Sequence, residues 1–383
     1  MSRRICIVSC TLAAGGAERW ASRTCTFLAE HSDLMVSMAL FRDEKAYPCP
    51  ESVPLHILNH RSFPHTARTV RQLRRLLNEE HIDVVVSNGA FTGQFVGQAV
   101  RGTKVQWIAR ISGNIEKAQH GFLQRWGWRW LDWNIGHATA IVANSAGLAG
   151  EVRARWRRYE SRVVTIPNGI DVQNLQIESI QTGTVTKTHQ DQQPMVLAAG
   201  RLHSVKRPDV FLQAILTLQK TYPVKAYWCG DGPLRNEVVN LIRKMGLEST
   251  VQIVGFQQNL AAWMRHAKCL VMTSDHEGSP NVLAEAMAIG VPVVSTDCDH
   301  GPGELLANER GWLVPVGDAE RIAEAIAKVL SDPGEAQRRA SRAQGWVQAN
   351  LDLPLVGGRW KELIEHCVSF RREPNDGLAG RFS

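Results

Sequence analysis

The segment CLVMTSDHEGSPNVLAEAM, residues 269–287, contains the junction that decides the fold. Its first five residues form a short apolar run of strand character, and the residues after Pro280 are typical of a helix. Proline suits the first position of a helix, where its missing N–H needs no partner, so we expect the helix to begin at Pro280. A strand that leads through a polar loop into a helix is the repeating unit of a parallel α/β sheet.

The same alternation continues in both directions from this segment. Predicted strands are 5–9, 35–40, 84–87, 105–110, 140–143 and 163–166, then 195–199, 225–229, 251–254, 269–273, 291–295 and 311–314. The stretch 174–193 is polar and lacks apolar periodicity, which predicts a connector.

The pattern therefore predicts an α/β protein with two Rossmann-like, doubly wound domains facing across a cleft. We expect an N-terminal domain at 1–173 and a second domain at 194–353. A helix at 354–372 could return to the first domain, and a disordered tail is predicted at 373–383.

Composition narrows the class of protein. Of the 383 residues, 44% are hydrophobic and 21% are charged, which is typical of a globular chain. The eight cysteines include no C-x-x-C pair, which argues against a zinc ribbon and fits a reduced cytosol. The basic and then apolar N-terminus is interpreted as a buried strand rather than a leader peptide, and no run is long enough to span a membrane. These features predict a cytoplasmic protein.

The net charge of +7 is concentrated in one stretch. Residues 101–158 contain ten Lys and Arg against three acidic residues, which accounts for the whole excess. An acidic partner is therefore expected near this stretch: nucleic acid, anionic lipid or a phosphorylated substrate.

Two carboxylates flank the predicted helix start of the opening segment. Glu277 lies in the loop and Glu285 in the second turn, while the N–H groups of Asn281 and Val282 would point at the same pocket, ready for an anion. Like charges beside an anion site make sense if each accepts hydrogen bonds from sugar hydroxyls. The alternative, two surface glutamates, is less favoured.

Cations and glycines follow two other strands. Arg201 and Lys206 come after strand 195–199, at the sheet edge where α/β proteins bind ligands, and suit a diphosphate. Gly15 and Gly16 form a turn before the first helix, where backbone N–H groups could meet a phosphate. A tight connection without a ligand is the alternative there.

Five segments together resemble the family-four retaining glycosyltransferases of the GT-B fold. They are IPNGID (166–171), GRL (200–202) with Lys206, GDGP (230–233), VGF (254–256) and the pair Glu277 and Glu285. They occur in the order of that family, and the resemblance covers roughly the whole chain.

The resemblance implies a role for each matching position. Glu285 would hold the nucleotide ribose and Glu277 the donor sugar, while Arg201 and Lys206 would hold the diphosphate. The other implied donor contacts are Gly278, the helix start at Asn281, Val282 and Leu283, the base site at Gly255 and Phe256, and the loop of Gly15 and Gly16. Glu277, Arg201 and Lys206 would be the catalytic groups, with no metal and no cofactor, because the cations and the helix dipole stabilise the leaving group.

The acceptor side departs from the family pattern. Many members have a histidine after the fourth N-terminal strand, whereas this chain has Arg110 and Ser112 in that stretch. Either Arg110 or Ser112 replaces this histidine, or the subgroup to which the chain belongs works without it. The predicted acceptor contacts are Ser87, Asn88, Arg110, Ser112 and Asn114.

The stretch 122–133 is rich in tryptophan and arginine. At helical spacing Phe122, Trp126, Trp130 and Trp133 share one face, with Arg125 and Arg129 at its edge. One interpretation is a patch that meets anionic lipid, with Arg125, Trp126, Arg129 and Trp130 facing the membrane. The other is a core helix with solvated arginines, and the sequence favours neither.

Together these features predict a retaining, metal-independent enzyme that moves a sugar from a UDP-sugar to an acceptor hydroxyl. The acceptor would be a lipid-linked glycan of lipopolysaccharide or capsule assembly, at the inner face of the cytoplasmic membrane. A GT-B sugar-nucleotide epimerase and a basic nucleic-acid-binding protein are the alternatives, although no nucleic-acid-binding module is recognisable.

Overall fold

The computed structural model describes residues 3–13, 15–60, 65–113, 122–181, 185 and 193–369, with the backbone alone at 122–126. These residues form two compact units. The first contains the described residues up to Gly169 and those from Leu353 onward, and the second runs from Ile170 to Asp352. Each unit is a parallel sheet with helices, as predicted.

The first unit is built on a seven-stranded sheet of order β3-β2-β1-β4-β5-β6-β7. The strands are β1 (Arg4–Ser9), β2 (Met35–Leu40), β3 (Leu55–Ile57), β4 (Val84–Asn88), β5 (Gln106–Ile111), β6 (Ala140–Ala143) and β7 (Val163–Thr165). Its helices include α1 (Gly16–His31), α2 (Thr66–Glu79), α3 (Ala90–Val100), α4 (Phe122–Asn134) and α5 (Ala146–Arg155).

Both faces of this sheet are buried. Ile5 and Ile7 of β1 pack in one apolar cluster, and Cys6 and Val8 pack in another. Successive side chains of a strand point to opposite faces, so helices must cover both sides of the sheet. This explains why β1 is apolar without interruption rather than alternating with polar residues.

The second unit contains a six-stranded sheet of order β10-β9-β8-β11-β12-β13. The strands are β8 (Met195–Ala199), β9 (Lys225–Cys229), β10 (Val251–Gly255), β11 (Cys269–Met272), β12 (Val293–Thr296) and β13 (Trp312–Val314). The helices are α6 (Val172–Ser179), α7 (Pro208–Leu218), α8 (Arg235–Lys244), α9 (Leu260–His266), α10 (Asn281–Ala288), α11 (Pro302–Leu306), α12 (Ala319–Ser331) and α13 (Pro333–Asn350).

Four local predictions were wrong. The first six residues of the predicted connector belong to α6, whose buried Leu175 packs in the core and whose start is capped by the Asp171 side chain. Pro280 is the N-cap of α10 and not its first helical residue. Strand β3 was missed because its three residues are only half-buried at the sheet edge. The boundary between the units lies after Gly169, four residues before the expected position.

The last helix, α14 (Leu353–Ser369), belongs to the first unit and packs on α1. The rings of Trp20 and Trp360 lie 5.0 Å apart, and Arg359 donates to the carbonyl oxygen of Thr165. Gly357 permits this close packing, because a Cβ atom there would collide with the ring of Phe27. Among the described residues, no helix is long and apolar enough to cross a membrane.

We predict that Gly357→Ala lowers the free energy of unfolding of the first unit by about 1–3 kcal/mol, because the added methyl group must push α14 away from α1. The neighbouring Gly358 is the matched control, since its Cβ would meet no atom within 4 Å. Gly358→Ala should raise stability by about 0.5–1 kcal/mol through helix propensity alone. Chemical denaturation of both variants measures this, and equal effects would contradict the packing argument.

Candidate functional site

The loops after β8 and β11 meet in the second unit because the two strands are parallel neighbours. Their carboxyl ends lie at one edge of the sheet, at the point where the strand order reverses direction. Open α/β sheets bind ligands at this kind of position. The predicted donor contacts Arg201 and Lys206 follow β8, and Glu277 follows β11.

Lys206 and Glu277 form the central contact between these loops. The Lys206 Nζ atom donates to Glu277 Oε1 at 2.5 Å, and the Ser274 hydroxyl donates to the same oxygen at 2.6 Å. Both charged side chains are mostly shielded from solvent. A cation and an acceptor are thus held side by side, and each retains capacity for further hydrogen bonds.

Further bonds hold the two loops together. The Thr273 hydroxyl donates to the carbonyl oxygens of Lys206 and Arg207, and the Asp275 N–H donates to the Val205 carbonyl oxygen. Arg207 also donates to the carboxylates of Asp209 and Asp275, which raises the pKa of Arg207. The backbone that carries Lys206 is therefore anchored from both sides.

Three glycines bring the GRL and GDGP segments into close contact. A Cβ atom at Gly230 would collide with the Gly200 carbonyl oxygen, and one at Gly232 with the Leu202 carbonyl oxygen. Gly230 also has a φ of 144°, which strongly favours glycine. These positions explain both motifs as backbone packing that places Arg201 at the sheet edge.

The start of α10 holds the second carboxylate. Glu285 lies in the second turn, as predicted, but its side chain is only 1% exposed. Gly278 is buried in the preceding loop, and the Leu283 N–H already donates to the Pro280 carbonyl oxygen at 3.1 Å. Of the three predicted backbone contacts, the Leu283 N–H is therefore engaged within the turn.

Two predicted donor contacts face solvent. Arg201 is exposed and makes no ion pair within the part of the chain that the structure describes. Phe256, directly after β10, is 45% exposed, and Gly255 before it has a φ of 75°. An exposed aromatic ring at the carboxyl edge offers a surface on which a flat base can stack.

The only Asp-x-Asp sequence lies beside this site. The Asp297 N–H donates to the Val314 carbonyl oxygen, and the Asp299 carbonyl oxygen accepts from the Glu277 N–H. Within the described ranges, no group of three or more His, Cys, Asp or Glu side chains could hold a metal ion. These two aspartates therefore contribute backbone bonds to the loop.

In the first unit, a polar network lies at the corresponding edge, after β1, β4 and β5. Arg110 donates to Asn88 Oδ1 at 2.6 Å and to Asn168 Oδ1 at 2.7 Å. Asn88 donates in turn to the Ser9 hydroxyl and to the Ala17 carbonyl oxygen, near the start of α1. Asn168 was not predicted, although its place in the IPNGID segment could have indicated it.

The glycine turn precedes α1 in this unit. Gly15 is the N-cap of α1, and Gly16 is its first residue. A Cβ atom at Gly15 would collide with the Glu18 carboxylate, which folds back over the turn. Because this carboxylate is the end of a flexible side chain, the contact alone does not require glycine at position 15.

The other predicted acceptor residues are placed differently. Ser87 is fully buried and accepts from Trp107 Nε1 at 2.9 Å. The alternation of β4 explains this, because Ser87 and Asn88 point to opposite faces. Ser112 is half-buried near Gly89, and Asn114 lies outside the described residues.

Helix α4 has aromatic side chains that pack against the core and others that are exposed to solvent. Trp130 is partly buried and packs on Phe95, with ring centroids 5.3 Å apart. Trp133 is 63% exposed instead, with the Arg101 guanidinium 4.3 Å from its ring centre. Arg129 is exposed. The side chains of Arg125 and Trp126 lie outside the described residues.

Two doubly wound parallel sheets with polar loops at their carboxyl edges are the architecture of the GT-B fold. Residues 14–174 match the model described as Glycosyltransferase Family 4, and residues 184–346 match the model described as Glycosyl transferases group 1. Together the two matches extend over most of the chain. The chain belongs to the family-four glycosyltransferases.

Two relatives of the chain are named as glycosyltransferases. The chain is 25% identical to an N-acetyl-D-galactosaminyltransferase of Campylobacter jejuni, over 94% of this chain and 98% of the relative. It is 29% identical to the lipopolysaccharide core glycosyltransferase LpsE of Rhizobium meliloti, over 58% of this chain and 63% of that protein. The first three curated relatives are matched over only 22%, 43% and 63% of their own length.

A solved structure shares the fold. HepE of Anabaena in complex with UDP-glucose superposes with a TM-score of 0.79 at 19% identity, over 95% of this chain and 99% of HepE.

We predict that Gly230→Ala destabilises the second unit more strongly than Gly246→Ala. Gly246, with a φ of 67°, lies near the left-handed α region, where alanine costs about 1–2 kcal/mol, whereas Gly230, with a φ of 144°, lies outside that region. Only Gly230 adds a collision with backbone, because the Cβ of residue 246 would meet no atom within 4 Å. Urea unfolding of both variants tests this, and equal losses would show that the loops do not need the close contact.

Proposed function

We propose that this protein is a retaining glycosyltransferase that moves a sugar from a UDP-sugar to a hydroxyl of a lipid-linked glycan precursor. The observation that carries the proposal is the pair of Lys206 and Glu277, held together between the loops after β8 and β11. A cation for the diphosphate and an acceptor for a sugar hydroxyl are thereby placed side by side at the ligand-binding edge of the sheet.

The chemistry follows from where charge develops. When the anomeric bond breaks, negative charge grows on the diphosphate, and Arg201 and Lys206 are the cations at this edge. Fixed donors that meet a developing charge are the largest single contribution in many enzymes. The N-terminus of α10 adds its dipole through the amides of Asn281 and Val282.

Glu277 and Glu285 have separate roles in this proposal. Glu277 accepts a hydrogen bond from a hydroxyl of the donor sugar, and it keeps Lys206 in position before the donor binds. Glu285 accepts hydrogen bonds from the ribose. The base stacks on the ring of Phe256, so that the nucleotide is also held at the end opposite its diphosphate.

Neither a metal nor a cofactor is required in this proposal, because side-chain cations neutralise the leaving group. Incubation with UDP-sugars in EDTA tests the activity itself. The expected result is transfer or slow hydrolysis with the anomeric configuration kept. Epimerised nucleotide sugar, or activity restored only by Mg²⁺ or Mn²⁺, would contradict the assignment.

Relatives support the choice of donor and acceptor. HepE has been crystallised with UDP and with UDP-glucose. The name of the Campylobacter relative specifies a PP-undecaprenol-linked acceptor, and that of LpsE specifies lipopolysaccharide core biosynthesis.

An acceptor anchored in a membrane requires the enzyme to approach a lipid surface. We propose that the exposed Trp133, with Arg101 and Arg129, contacts anionic head groups at the inner face of the cytoplasmic membrane. The indole ring suits the interface, since it is apolar but has an N–H that seeks a polar partner.

We predict that Glu285→Gln weakens UDP binding by about tenfold, because the lost charge weakens hydrogen bonds from the ribose. Glu277→Gln should leave UDP binding equal or tighter, since Lys206 is then free to meet the diphosphate, while turnover falls by roughly tenfold or more. Calorimetry with UDP and a transfer assay separate the two roles. Glu248→Gln, at an exposed position, is the control for charge. Wild-type UDP affinity in Glu285→Gln would disprove the ribose assignment.

We predict salt-sensitive binding to vesicles that contain phosphatidylglycerol and none to neutral vesicles. Replacing Arg101 and Arg129 with Gln should cost about 2 kcal/mol, or roughly thirtyfold in partitioning. The double variant of Lys220 and Lys244 to Gln removes the same charge from exposed positions of the second unit and should bind normally. Sedimentation with vesicles measures both, and equal losses would indicate a nonspecific effect of net charge.

A further inference from the structure

Arg110 is a buried cation whose contacts are all neutral. Its side chain is 1% exposed, and its two hydrogen bonds go to the amide oxygens of Asn88 and Asn168. Its third contact is the face of Trp20, with the guanidinium carbon 4.0 Å from the ring centre. Among the described residues, no carboxylate lies within ion-pair distance of it. Buried charges in proteins are normally paired.

The guanidinium also has more N–H donors than it uses in hydrogen bonds. Arginine has five N–H donors, and two are used here. The Nε atom is buried and has no hydrogen-bond partner. Burial lowers the pKa of Arg110 to about 9, an effect that the Glu18 carboxylate offsets only in part. The fold therefore maintains an unfavourable charge at this position.

Several elements hold this charge in place. Asn88, oriented by Arg110, ties β4 to Ser9 and to the start of α1. Trp20 lies between the guanidinium and Trp360 of α14, whose ring centre is 5.0 Å away. All of this lies at the carboxyl edge of the sheet beside the β1–β4 pair, where the strand order changes direction. Such an edge is where ligands of α/β sheets bind.

We propose that Arg110 is kept without a counter-ion so that its charge draws a phosphate group of the acceptor to the carboxyl edge of the first unit. This inference rests on the proposed function, because it specifies the anionic part of the acceptor. Arg110 is a positioning residue, since its buried guanidinium acts through its electrostatic field. A charge in a low-dielectric surrounding acts over a longer distance than one in water.

One variant distinguishes this proposal from a purely structural role for Arg110, because the two roles lead to opposite expected results. Asn168→Asp keeps the size of the side chain and its hydrogen bond to Arg110, and it supplies the missing negative charge. If Arg110 only joins strands, this ion pair should preserve stability and function together. If its free charge is used, the variant should be as stable as the wild type or more stable, yet bind anions less well.

The test uses inorganic pyrophosphate as the probe, titrated by calorimetry into protein saturated with UDP so that the donor side is occupied. Wild type should bind pyrophosphate. Asn168→Asp should bind it with an affinity lower by about tenfold or more, because a charge-assisted contact is lost. Asn78→Asp places the same charge at an exposed position of α2 and should bind as wild type does.

Thermal unfolding of the variants completes the test. An Asn168→Asp protein that binds pyrophosphate like wild type overturns the inference, as does one that is less stable than wild type. Absence of pyrophosphate binding in the UDP-saturated wild type also overturns it. Normal UDP affinity in that experiment would leave the proposed function intact, whereas a wild type that fails to bind UDP contradicts the proposed function itself.

Discussion

Parallel pairing of β8 with β11 is the constraint on which the candidate donor site depends. It places the ends of two distant strands at one edge, so that Lys206 can reach Glu277. The glycines of the GRL and GDGP segments then let the adjoining loops approach closely enough to be held by backbone bonds. The strand order therefore determines where the charged side chains lie and how firmly their loops are held. Other α/β proteins use the same kind of sheet edge for many different ligands.

The two units treat a cation near the carboxyl edge of the sheet in opposite ways. Lys206 has a carboxylate partner that shares its charge, whereas Arg110 has two amide oxygens and an aromatic face. A paired cation can exchange its carboxylate partner for an anionic ligand at little cost, because its positive charge is neutralised both before and after binding. An unpaired cation is balanced only when an anion is present. The difference agrees with the two proposals, in which Lys206 meets the diphosphate of the donor and Arg110 attracts a phosphate of the acceptor.

Much of the architecture could be predicted from sequence, because parallel strands covered on both faces are uniformly apolar and easy to detect. The failures have separate physical causes. Helix α6 was hidden because polar residues surround its single buried leucine, Leu175. Ser87 and Asn88 are adjacent in sequence but point to opposite faces, and composition does not show which face meets a ligand. The burial of Arg110 depends on Trp20 and Asn168, which come from distant segments. The assignments of ligand contacts rest on family resemblance and stay predictions.

The return of α14 to the first unit has a consequence for biosynthesis. The second unit is continuous in sequence, so its whole core can form once Asp352 has left the ribosome. Most of the first unit is translated earlier, yet it lacks Trp360 and the rest of its covering helix until the second unit has been translated. The apolar face of α1 is therefore exposed throughout translation of the second unit. Domains usually complete in N-terminal to C-terminal order, and this chain reverses that order, which makes α1 the segment most in need of a chaperone.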